Sequence, residues 1–108
     1  MTDAAYTGRF APSPTGDLHF GSLVAAVGSF LQARRAGGRW LVRIEDLDPP
    51  REVAGSAARI VADLRRFGMT PDEPIVRQSE RSAAFDAALQ RLQEDRLLFP
   101  CACTRREL

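Results

Sequence analysis

No stretch of this sequence is apolar for long enough to cross a membrane, and Met1 to Tyr6 lacks the apolar core of a signal peptide. No membrane partner is expected, and the cytoplasm is the expected location. Internal repeats and low-complexity tracts are also missing, which argues against an array or a tail. Cysteine is scarce: Cys101 and Cys103 stand one residue apart, a spacing that would strain any bridge between them, so a disulfide scaffold is excluded. Histidine is scarcer still, with His19 alone. Neither sign of charge is in excess, since 15 basic and 14 acidic residues leave a net +1. Such a balance neither announces nor excludes nucleic acid, because a local basic face can hide in it. What remains is 108 residues with 44% hydrophobic content, the profile of one small folded domain at most.

The most informative stretch runs from Gly8 to Ser22. It begins on a short apolar segment, Tyr6 to Ala11, and ends where an amphipathic helical pattern starts at Ser22. Strand, loop, helix is the expectation, with the loop at the end of α/β folds where ligands sit. Unsatisfied N–H groups at the helix start favour an anion there. Pro12 and Pro14 deny the segment a ladder or a helix interior and hold it as an arch. Gly16 and Gly21 allow close approach, and His19 between them can donate to a phosphate oxygen where negative charge develops. The plain alternative is a surface loop whose prolines and glycines only shape a turn.

Taken in order, Leu23, Val27, Phe30 and Leu31 recur at helical spacing from Ser22 to Arg35, and Gly37-Gly38 stops that helix. Arg39 to Ile44 reads as a strand, apolar on both faces and ending in Glu45-Asp46-Leu47-Asp48. After Pro49-Pro50 a second helix starts between Arg51 and Ser56, carries Ile60, Val61, Leu64 and Phe67 as its stripe, and ends at Gly68. Ile75-Val76 is a short strand. Ser79 can cap a third helix, with Glu80 favourable to its dipole and Phe85, Ala88, Leu89 and Leu92 as a core face. Leu97 to Phe99 suggests a fourth strand, and Thr104 could open a further helix. The alternation β-α-β-α-β-α-β implies an α/β fold with a mostly parallel sheet and flanking helices.

The loop string resembles the signature of class I aminoacyl-tRNA synthetases, in their glutamate branch. The His-Ile-Gly-His signature stands here as His19-Phe20-Gly21-Ser22, preceded by Arg9-Phe10-Ala11-Pro12-Ser13-Pro14-Thr15-Gly16-Asp17-Leu18 and followed by Arg43-Ile44-Glu45-Asp46. Ser22 in place of the last histidine is the departure. The resemblance covers the whole chain and implies the amino-terminal part of a Rossmann-like catalytic domain, incomplete at its carboxyl end. Two members of the branch compete: glutamyl-tRNA synthetase, which charges the tRNA terminus, and the shorter glutamyl-queuosine tRNA(Asp) synthetase, which attaches glutamate to the queuosine base of tRNA-Asp. The helix from Gly21 to Arg34, together with Asp48-Pro49-Pro50-Arg51-Glu52 and Cys101-Ala102-Cys103-Thr104-Arg105, resembles the second.

The resemblance implies glutamate, ATP and a queuosine-bearing tRNA-Asp as partners, magnesium with the ATP, and a monomer at full length. It places Arg9 on a substrate carboxylate, Ser13 and Glu45 on the α-amino group, Phe10, Ala11 and Pro12 beside them, and His19 and Gly21 against ATP within the run Pro12 to Ser22. Cys101 and Cys103 would supply half of a tetrahedral zinc site, the other ligands lying beyond Leu108. Taken one by one, Arg9 also suits a solvated surface, Glu45 and Asp46 could cap the second helix or pair with Arg43, and the cysteines could be ordinary. The branch's Lys-Met-Ser-Lys-Ser loop and the tyrosine and arginine that complete the glutamate pocket are not among these 108 residues. An inactive fragment, or a half-domain that only binds nucleotide or tRNA, is therefore also open.

Overall fold

The computed structural model describes residues 5–107. Its elements are β1 (Thr7–Phe10), α1 (Phe20–Arg35), β2 (Arg39–Ile44), a 3₁₀ turn (Pro49–Arg51), α2 (Ser56–Arg66), β3 (Val76–Arg77), a second 3₁₀ turn (Gln78–Arg81) and α3 (Ser82–Glu94). The strands lie in the order β1-β2-β3, and both pairings are parallel, Thr7 opposite Arg39 and Arg43 opposite Val76. Parallel strands need crossover connections, and α1 and α2 supply them.

Alternation along β2 decides where the core lies. Trp40, Val42 and Ile44 are buried on one face, while Arg39, Leu41 and Arg43 on the other keep access to solvent. The buried face meets Ala26 and Ala33 of α1, Ile60 and Leu64 of α2, Phe10 and Met69. Trp40 is the centre: its ring lies edge-on to Phe30 at 5.2 Å, stacks on Phe10 at 6.4 Å, and its Nε1–H donates to Ser29 Oγ at 2.9 Å. Burying an aromatic of this size stabilises by about 4–6 kcal/mol at ~25 cal/mol per Å². The small alanines let α1 approach the sheet closely, and Gly38 permits the same at the start of β2, where its backbone lies against Tyr6.

A loop carboxylate closes the same end of this layer. Asp72 accepts from Arg34 Nη1 at 2.7 Å and from the Trp40 N–H at 2.6 Å, and its own N–H donates to Trp40 O at 3.0 Å. Arg34 in turn sits 4.6 Å over the Phe30 ring. The Arg34 hydrogen bond first, and the Trp40 N–H second, hold the Asp72 carboxyl below its ordinary 3.8. A depressed carboxyl contributes stability that is present above its ordinary pKa and is lost as pH falls through the folded value. Asp72→Asn is therefore expected to lower the unfolding midpoint at neutral pH, with the two proteins converging below about pH 4. Midpoints taken from pH 3 to 7 check this, and parallel curves would refute it.

Several expectations need correction. Helix α1 begins at Phe20, with His19 as its cap, because the His19 ring nitrogen takes the Ser22 N–H. Ser79 does not cap α3: its N–H and hydroxyl are both taken by Asp46, at 2.9 and 2.7 Å, and Arg81 occupies the cap position. Phe85, Leu89 and Leu92 are not core, since α3 buries no residue. Phe67 ends α2 and is 61% exposed. Leu97 to Phe99 is not a strand. Arg96 takes φ 58°, and the N–H groups of Arg96 and Leu97 return to Gln93 and Leu92, closing α3 in a Schellman-type turn that carries the chain away from the sheet. From Thr104 there is only a turn, drawn in by Glu107, whose carboxylate accepts from the Thr104 N–H and hydroxyl.

Candidate active site

The loop from Ala11 to His19 leaves the carboxyl end of β1 and returns at the amino end of α1. Three ties hold it. Pro12 O accepts the Glu45 N–H at 2.9 Å, Pro14 O accepts the Val53 N–H at 2.9 Å, and the Gly16 N–H reaches Ser56 Oγ at 3.2 Å. The prolines cannot donate to a ladder, so their carbonyls are offered outward as acceptors to the segments after β2. An ion pair from Arg59 to Asp17 adds a fourth contact near the surface.

These ties shape a cavity of about 450 Å³. Phe10, Ala11, Pro12, Ser13, Thr15, Gly16, Asp17, Leu18, His19, Ser22, Ala25 and Ile60 line it. Pro14 is buried and faces a neighbouring cavity of about 270 Å³ instead, with Val53 and Asp46. Phe20 is 82% exposed, and Gly21 lies under the His19 ring, where a Cβ would come within 3.2 Å of it. His19 Nδ1 accepts the Ser22 N–H at 3.1 Å. That leaves the ring hydrogen on Nε2, which faces Ser22 Oγ at 2.9 Å. Ser22, standing where the signature has its second histidine, thus holds the first one in a single tautomer.

Arg9 points to the other side of the sheet from Phe10, as strand alternation requires. With Leu41, Arg43, Val76, Arg81 and Phe85 it lines a cavity of about 210 Å³ on the sheet's open face. Glu45 reaches this cluster through Arg43, which donates to it from Nε at 2.9 Å and from Nη2 at 2.6 Å. The pairing with Arg43 that the sequence left open is therefore present. Asp46 does not pair there: it joins the end of β2 to Ser79 and lies 3.7 Å from Arg77. Burial opposes its ionisation, but the Ser79 N–H and hydroxyl and the Arg77 charge outweigh that and hold its carboxyl below the ordinary value. Ser56, which has no exposed surface, was invisible in the sequence beyond marking a possible helix start.

Cys101 and Cys103 are both exposed free thiols. Among the described residues no group of three or more His, Cys, Asp or Glu could hold a metal ion. The thiols fit two corners of a tetrahedral site and no more. Among the described residues, too, no helix is long and apolar enough to cross a membrane.

Residues 6–108 match the family model for the catalytic domain of class I tRNA synthetases of the E and Q type. The chain belongs to the class I tRNA synthetases. Within that family it is 64% identical over 103 residues to the glutamyl-Q tRNA(Asp) synthetase of Burkholderia cenocepacia, covering 95% of this chain and 35% of that protein. Against the protein of the same name from Xanthomonas oryzae pv. oryzae it is 56% identical over 108 residues, all of this chain and 36% of that one. The corresponding Yersinia pseudotuberculosis protein is 60% identical over 100 residues, 93% of this chain and 30% of that one. The synthetase chain thus spans about a third of the length of these curated relatives. Among solved structures it resembles a glutamate tRNA ligase from Elizabethkingia meningosepticum, crystallised with its amino acid, at a TM-score of 0.77 and 41% identity over 82% of this chain and 19% of that one. The Elizabethkingia anophelis glutamate-tRNA synthetase gives 0.79 and 38% over 83% of this chain and 20% of that one. A parallel sheet with flanking helices, of the Rossmann-like kind, is the shared architecture.

Proposed function

We propose that this chain is the amino-terminal part of the catalytic domain of an enzyme that activates glutamate with ATP, without tRNA, and then attaches it to the queuosine base of tRNA-Asp. The observation that carries the acceptor is the 56–64% identity, across nearly the whole chain, to relatives bearing the glutamyl-Q tRNA(Asp) name. The solved glutamate-tRNA ligases stand lower, at 38–41%. A single domain running through residues 1–108 and completed by chain outside them, a monomeric state and a cytoplasmic location belong to the same proposal.

In the first step an oxygen of glutamate's α-carboxylate attacks the α-phosphorus of ATP in line, the bond to the bridging oxygen breaks, and pyrophosphate leaves with the electron pair. No covalent enzyme intermediate is required, so positioning and charge stabilisation carry the rate. Arg9, at the open-face cavity, holds a substrate carboxylate with its planar fork of donors. Ser13 and Glu45 receive the α-amino group, Glu45 being held in place by Arg43. The loop from Pro12 to Ser22 takes ATP, with His19 at the phosphates and Gly21 beside the nucleotide. Magnesium accompanies ATP. Cys101 and Cys103 supply two thiolates to a zinc ion whose other ligands come from outside these residues. In the second step the glutamyl group passes from the adenylate to the queuosine base, and AMP leaves.

Two assays test this. The full-length protein is expected to catalyse glutamate-dependent exchange of pyrophosphate into ATP without tRNA, and to label tRNA-Asp that carries queuosine but not tRNA-Asp that lacks it. The 108-residue chain alone is expected to do neither. Labelling of tRNA-Glu instead would favour the terminus-charging alternative. Nucleotide or tRNA binding by the full-length protein, with no exchange, would leave only a binding module.

A further inference from the structure

We propose that Ser56 is a positioning residue that fixes the shape of the signature loop, and through it the nucleotide cavity; the nucleotide part rests on the function proposed above. Ser56 is the first residue of α2, where a serine ordinarily turns its hydroxyl to its own helix. Here it does not. Its Oγ donates to Gly16 O and accepts the Gly16 N–H at 3.2 Å, so both backbone groups of one loop residue end on one side chain. Ser56 is wholly buried, the one buried polar residue among those described.

Gly16 lies in the bend of the loop and takes φ +153°. A conformation open chiefly to glycine is also one that glycine leaves easily, and something must hold it. No ladder or helix satisfies Gly16, so the Ser56 hydroxyl is what keeps its N–H and C=O partnered. The neighbouring backbone reinforces the clamp: Ser56 N–H donates to Val53 O at 3.0 Å, and Val53 N–H to Pro14 O at 2.9 Å. Gly16 lines the same cavity as Ser13 and His19. Releasing it therefore changes the wall that meets the nucleotide, while Arg9 and Arg43, in the cavity on the other face, are untouched.

Ser56→Ala removes the hydroxyl with little change of volume, and Ser56→Thr retains it. In the full-length protein Ser56→Ala is expected to speed hydrogen exchange at the Gly16 amide at least tenfold and to raise KM for ATP about tenfold, since both hydrogen bonds of the hydroxyl to Gly16 are lost. The exchange of Val42 and Ile44 should stay within about twofold. Ser56→Thr should restore both altered readings. A Gly16 amide and an ATP KM equal to those of the parent would overturn the proposal, and so would a general loss of protection that includes Val42 and Ile44. Faster Gly16 exchange with an unmoved ATP KM would overturn the link to the nucleotide. A parent protein without glutamate-dependent exchange would count against the proposed function, and the Gly16 amide alone would then decide the clamp.

Discussion

Alanine in place of Gly38 is expected to destabilise the fold by about 3 kcal/mol, the upper end for an overpacked position and a large share of a small domain's total stability. A Cβ there would lie 2.1 Å from Tyr6 O and 2.8 Å from Tyr6 C. Both are backbone atoms, so no side chain can swing aside. Relief requires moving the entry of β1 away from β2, which breaks the Arg39 N–H to Tyr6 O bond of 2.9 Å. Because β1 and β2 are in register from Thr7 to Phe10, the shift carries Arg9 with it. Denaturant unfolding of the full-length protein should show a lowered midpoint, and glutamate activation should fall. A midpoint equal to the parent's would show that this close approach is not required.

His19→Asn is expected to lower kcat for glutamate-dependent pyrophosphate exchange about 10²–10³-fold with little change in stability, the size of effect seen when one donor to a developing negative charge is removed. Asparagine is a good helix cap, so the Ser22 N–H would keep an acceptor and α1 its start. What is lost is the imidazole Nε2–H. In the free protein that hydrogen rests on Ser22 Oγ, and a phosphate oxygen entering the cavity would take the hydroxyl's place. Measuring kcat beside the unfolding midpoint separates the two roles. Equal kcat for variant and parent would remove His19 from the chemistry, and a midpoint drop matching the activity loss would make it only a cap.

The strand, loop and helix that carry the candidate site were legible because their signals are local. Two prolines and two glycines between an apolar segment and a helical pattern mark the loop, and β2 could be read from its apolar run. What failed was whatever depends on a partner. Helical spacing shows that Phe85, Leu89 and Leu92 share a face, but not that anything covers it, and here they remain exposed. Leu97 to Phe99 has strand composition, yet a strand exists only beside another, and the turn at Arg96 sends it elsewhere. Asp46 competed successfully for Ser79, a contact between positions 33 apart that no helix-cap rule contains. Ser56 acts across 40 positions and bears no motif at all.

The strand order has a bearing on how the molecule comes together. The middle strand is second in the chain, so each neighbour must find it across an intervening helix, and nothing in the sheet can be paired before residue 39 exists. On a ribosome delivering residues from the amino end, the signature loop emerges before its anchors at Glu45, Val53 and Ser56. Closing such spans is an entropic barrier that grows slowly with length, and helix formation in α1, faster than strand pairing, shortens the first of them. The loop thus takes its fixed shape only after the chain as far as Ser56 has followed it.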